Sequence, residues 1–73
     1  MRLDDGDYVV VKKQENAENG DIVVAYIDGY ATVKNFYRQG NFIKLKPQNP
    51  LYQPIITDDC RILGKVVGTI KRF

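Results

Sequence analysis

The 73-residue sequence predicts an all-β fold, a small antiparallel meander coiled into a partial barrel. Three observations predict it. Short β-branched runs recur along the chain, Gly- and Asp-containing pieces separate them, and no segment carries helical periodicity. Residues 14–19 are the one helix candidate, but they make a single polar turn and read as a loop.

Residues 8–11 (Tyr-Val-Val-Val) form the first predicted strand and Ile22–Ile27 the second, preceded by Gly6-Asp7 and Gly20-Asp21. Neither run alternates between apolar and polar, so both strands are expected to be covered on each face. Asp28-Gly29 leads into a third strand over residues 30–37. A two-residue Asp-Gly link between strand-like runs predicts a type I′ turn, which needs positive φ at both positions. On that third strand Thr32, Lys34 and Phe36 share one face, while Ala31, Val33 and Tyr37 point the other way.

Gln39-Gly40-Asn41 supplies the next turn, before Phe42–Lys46, where Phe42, Lys44 and Lys46 oppose Ile43 and Leu45. That is a half-buried edge pattern. Residues 47–59 hold Pro47, Pro50 and Pro54 and are expected to be irregular, because a proline removes a ladder donor. The fifth and last strand, residues 61–71, places Leu63 and Val67 on one face and Ile62, Val66 and Ile70 on the other. Gly64 and Gly68 fall on that second face, where another backbone or side chain is expected to approach closely.

Composition narrows the function. A chain of this length closes one core, so residues 1–73 are expected to be a single domain of marginal stability. Eleven Lys and Arg against nine Asp and Glu leave +2, too little to imply a strong nucleic-acid or membrane field by itself. The uncharged apolar runs are too short for a transmembrane helix or a signal-peptide core. Neither His nor Ser occurs, so a Ser-His-Asp triad or a His-based metal site cannot be assembled from this chain alone. Cys60 has no second cysteine to pair with and reads as a small, semi-buried side chain in a reducing, cytoplasmic setting.

No cofactor or metal is expected. Gly20, Gly29 and Gly40 stand alone in turns and make no phosphate loop. Asp4, Asp5 and Asp7, with Asp58 and Asp59, lack the spacing of a calcium loop and read as turn-forming or solvated carboxylates. Residues 34–38 (Lys-Asn-Phe-Tyr-Arg) and 44–46 (Lys-Leu-Lys) interleave basic and aromatic side chains on adjacent strands, a surface that small β-barrels use on single-stranded nucleic acid. Lys34 is the residue singled out for chemistry. Withdrawal from water favours the neutral form of a lysine, and a neutral amine can act as general base. Pattern alone reads it as an ordinary solvated lysine.

Five ordered motifs extend that reading. Residues 6–11 (Gly-Asp-Tyr-Val-Val-Val), 19–25 (Asn-Gly-Asp-Ile-Val-Val-Ala), 31–34 (Ala-Thr-Val-Lys), 45–50 (Leu-Lys-Pro-Gln-Asn-Pro) and 62–68 (Ile-Leu-Gly-Lys-Val-Val-Gly) resemble the LexA C-terminal domain in order and spacing. This is the Ser–Lys self-cleaving peptidase family that includes UmuD and the lambdoid phage repressors. The resemblance runs from residue 5 to residue 71. Signal peptidases share the Gly-Asp and strand-lysine pieces but not the Leu-x-Pro-x-Asn-Pro segment.

The resemblance implies that Lys34 is the general base, with Phe36 and Tyr37 as apolar cover and Asn49-Pro50 shaping a loop near the core. It implies cleavage of the protein's own Ala-Gly bond, stimulated by a RecA filament, and thereby inactivation of a dimeric repressor of DNA-damage (SOS) genes. The family's nucleophile lies in a Gly-x-Ser-Met segment upstream of the motif matched by Gly6-Asp7, and this chain has no serine. The chain is therefore expected to be an N-terminally truncated, catalytically inactive piece beginning at an introduced Met1. The scissile segment and the DNA-binding domain would lie upstream, leaving the core partly open around Lys34. A homodimer through the last strand or an exposed edge is expected, with no membrane association. Two alternatives share the sequence features: a UmuD-like or phage-repressor relative, and a free-standing small β module that binds nucleic acid or protein.

Overall fold

The computed structural model describes residues 6–71, all of whose regular elements are strands. Six strands form one antiparallel sheet: β1 (Tyr8–Lys13), β2 (Ile22–Ile27), β3 (Tyr30–Gln39), β4 (Phe42–Lys46), β5 (Ile55–Thr57) and β6 (Arg61–Ile70). Their spatial order is β1-β6-β2-β3-β4-β5, so β1 and β5 are edges and the sheet does not close on itself. No described helix is long and apolar enough to cross a membrane.

Local chemistry accounts for the β2–β5 meander. Asp28 and Gly29 have φ of 50° and 86°, both positive, as the type I′ link between Ile27 and Tyr30 requires. Gly40 has positive φ (59°) while Asn41 does not, the pattern of a type II′ turn joining Gln39 to Phe42. β4 follows its alternation, with Ile43 and Leu45 buried and Phe42 and Lys46 exposed.

Three expectations are corrected. The proline-rich stretch is not wholly irregular, because Ile55–Thr57 pairs with Ile43, Lys44 and Leu45. All three prolines precede it, so no ladder donor is missing from this short edge strand. β1 is not covered on both faces: five of its six residues are exposed, since an edge strand with one neighbour has little packed against it. Lastly, the strand expected as the end of a meander lies inside the sheet, paired with both β1 and β2.

β6 reaches both neighbours through two bulges. Leu63 is the extra residue opposite Val24 and Ala25, and Val67 the extra one opposite Val10 and Val11. Both are exposed, so the alternation read from the sequence marks where each ladder slips. Gly64 follows the first bulge and is buried. A Cβ there would collide with Val11 Cγ1 and stand 2.8 Å from the Lys12 carbonyl oxygen. Gly68 follows the second and is less crowded, 3.9 Å from Val10 Cβ.

The core cluster is Val23, Ala25, Phe36, Ile43, Leu45 and Ile62, all on one face of β2, β3, β4 and β6. Ala17, Ile27 and Cys60 pack against it. Ile22 and Val66 are buried outside this cluster. Beyond the ladders, Asp7 bonds Lys71 at 2.7 Å and ties β1 to the end of β6.

Candidate active site

Lys34 sits on the core face of β3, directly across from the fully buried Val23 and between Thr32 and Phe36. Directly opposed residues of an antiparallel pair share a face, with Cβ atoms about 5 Å apart. The lysine is half-buried and has no ion pair or side-chain hydrogen bond among the described residues. Phe36 is 1% exposed and does cover this face. Tyr37 does not: it pairs with Lys44 on the opposite face. Cover by both residues is thus corrected to cover by Phe36, because successive strand residues alternate sides.

The 14–21 connection fixes the β3 backbone beside Lys34. Gly20 N–H donates to Phe36 O at 2.8 Å, and Phe36 N–H donates to Asp21 O at the same distance. Arg38 N–H donates to Asn19 Oδ1 at 2.7 Å. Phe36 is therefore held through its ring in the core and through both backbone groups. Its ring also lies 5.7 Å from the Arg38 guanidinium carbon, within cation–π range.

Asp21 locks this connection. The Asp21 N–H donates to Glu18 O at 3.0 Å, the Glu18 N–H returns a bond to Asp21 Oδ2 at 2.9 Å, and Lys65 Nζ lies 3.2 Å from Asp21 Oδ1. The Glu18 backbone donor holds the Asp21 carboxyl below the usual carboxylate range; burial opposes it, and the Lys65 bond and charge add to it. Because this value is depressed, the unfolded state takes up the proton first as pH falls. The contribution of Asp21 to stability is full above the ordinary aspartate range, near pH 4, and is lost as pH drops through the folded-state value. Urea midpoints measured from pH 6 down to pH 2.5 are expected to fall less steeply for Asp21→Asn than for the parent chain. The sequence marked Gly20-Asp21 only as a strand boundary, and the bonds back to Glu18 and across to Lys65 carry no sequence signal.

Cys60 packs half-buried against the core, as expected from the sequence. Burial pushes its thiol up, the nearby Arg38 charge pulls the other way, and Asp59 adds to the rise. The thiol is thereby kept protonated and weakly nucleophilic at neutral pH. Asp58 and Asp59 follow β5, where the Asp59 N–H caps onto Thr57 Oγ1 at 3.0 Å. Asp4 and Asp5 lie outside the described residues. Asn49 closes the turn expected of the Asn-Pro segment: its Oδ1 accepts the Leu51 N–H at 2.9 Å, and Pro47 beside it is buried.

Thr32, Lys34 and Phe36 thus present one amine without an ion-pair partner among the described residues, with the β3 backbone beside it tightly held. Residues 1–67 match the family described as Peptidase S24-like. The chain belongs to this family. A LexA repressor 2 of Nocardia farcinica is 60% identical to this S24-like chain over 69 residues, covering 94% of the chain and 28% of that protein. The LexA repressor of Caldicellulosiruptor saccharolyticus is 54% identical over 69 residues, again 94% of the chain and 34% of the relative. That of Acetivibrio thermocellus is 56% identical over 70 residues, 94% of the chain and 33% of the relative. The S24-like chain therefore spans about a third of the length of these curated relatives. The family match covers β1 to β5 and β6 as far as Val67, including the Lys34 segment and its Gly20-Asp21 anchor.

Proposed function

We propose that this chain is the base-bearing part of a LexA-like transcriptional repressor that inactivates itself by peptide-bond cleavage. The observation that carries this reading is Lys34: a half-buried lysine, without a carboxylate partner among the described residues, beside buried Phe36 and Val23. In the intact protein the Lys34 amine takes the proton of a serine hydroxyl, and the serine oxygen attacks the carbonyl of the protein's own Ala-Gly bond. The resulting ammonium returns the proton to the departing glycine amine, and water then releases the acyl group from the serine. The serine comes from outside this sequence, which contains none.

The biological setting is a cytoplasmic repressor of DNA-damage genes whose cleavage follows contact with a RecA filament. DNA is bound through a domain other than this one. The repressor acts as a homodimer, and open edges are available for it. β1 and β5 each have one neighbour, and β6 beyond Lys65 pairs only with β1 among the described residues.

Incubating the chain with an Ala-Gly peptide tests the division of labour between base and nucleophile. No hydrolysis is expected. Turnover that disappears in Lys34→Ala would show that the chain supplies a nucleophile of its own and would overturn this assignment.

A further inference from the structure

A net charge of +2 conceals a sharp segregation. The six strands contain no Asp or Glu, yet most of the Lys and Arg lie in them, so a cationic sheet is carried between acidic connections. On the β3–β5 face turned away from the core, Tyr37, Lys44 and Ile56 form one cross-strand row. Asn35 and Lys46 form the row on one side of it, Gln39 and Phe42 the row on the other. Gln48 donates its side-chain N–H to Asn35 Oδ1, which holds the connection after β4 beside Lys46. Neither Lys44 nor Lys46 has an ion-pair partner among the described residues, and Phe42 and Ile56 are 54% and 68% exposed.

We propose that this face binds single-stranded nucleic acid, with Lys44 and Lys46 on successive phosphates and the Tyr37 and Phe42 rings against bases. Residues two apart on a strand are about 7 Å from each other, so both ammonium groups can follow one extended backbone. The aromatic rings decide against an acidic peptide, because bases offer π faces to stack on and carboxylates do not. They also decide against a duplex, whose bases are stacked inside and would leave both rings without a role. Lys34 points to the opposite face, so this binding stands or falls independently of the self-cleavage reading.

Fluorescence anisotropy with labelled oligo-dT, between about 50 and 200 mM salt, tests it on the complete chain. Binding is expected at low salt and is expected to weaken for a hairpin duplex of the same length. Lys44→Gln with Lys46→Gln should flatten the slope of log K against log salt by about 1.4, since each phosphate contact to a single strand contributes roughly 0.7. Phe42→Ala should weaken binding roughly tenfold with the slope unchanged. Lys46→Glu, at an exposed position, serves as a second charge variant, and circular dichroism identifies any variant that fails to fold. Absence of binding at low salt overturns the proposal, as does binding that ignores both the charge and the Phe42 variants. Equal competition by a poly-glutamate peptide of matched charge also overturns it, assigning the face to an acidic protein partner.

Discussion

Phe36→Ala is expected to lower stability by about 3–5 kcal/mol, the range for removing a large buried aromatic side chain and leaving a cavity. Phe36 is 1% exposed and sits at the centre of the only core cluster among the described residues, cross-strand from Leu45, itself fully buried. A chain this small has a total stability of only a few kcal/mol. The substitution should therefore leave most molecules unfolded at 25 °C. Its backbone bonds to Gly20 and Asp21 need no side chain, so they offer no reason for the alanine variant to resist. Chemical denaturation followed by circular dichroism measures the loss. A shift below about 1 kcal/mol would mean that the ring does not organise the core. Phe36→Leu keeps most of the apolar volume and is expected to cost less than half as much.

Gly64→Ala carries the second large effect. At this position the new methyl group meets the Lys12 backbone carbonyl at 2.8 Å and collides with Val11 Cγ1. A side chain can rotate away, but a ladder carbonyl cannot move without straining the β1–β6 pairing. The expected destabilisation is about 1–3 kcal/mol, typical of overpacking, and each kcal/mol lowers Tm by roughly 4–8 °C in a domain of this size. Gly68→Ala is the internal control, because its Cβ would make ordinary contact with Val10 at 3.9 Å. Thermal melts of the two variants should therefore differ, with Gly64→Ala lower. Equal melting temperatures would contradict the close approach of β1 at the first bulge.

These two glycines also show how far the sequence is legible. Their spacing on one side of the last strand predicts a close approach, and the structure assigns that approach to Gly64 far more than to Gly68. The Asp28-Gly29 hairpin is legible in full, since two adjacent residues determine the turn and the register that follows from it. The alternation of β4 is legible for the same reason: both of its determinants are local. Pairing of β1 with β6 is not, because Tyr8 and Ile70 meet across nearly the whole chain and nothing local to either encodes the other. β5 is hidden by the prolines before it, and the bulges at Leu63 and Val67 look like simple alternation until their partners are known.

The candidate site divides in the same way. Strand periodicity places Lys34 with Thr32 and Phe36, and the register agrees. Which face is buried depends on Val23 and on β6, so pattern alone reads a solvated lysine, and the family resemblance gives it a role. The Asp21 clamp that steadies Phe36 joins residues from β3, β6 and the connection before β2, and no spacing along the chain announces it.

An immunoblot of the source cells with antibody to this chain, before and after DNA damage, reads out Lys34-dependent self-cleavage. A band much larger than 8.4 kDa that shortens after damage is expected, and a band that does not shorten in cells carrying Lys34→Ala. A band that stays constant through damage, or one that shortens equally in the Lys34→Ala strain, would contradict it.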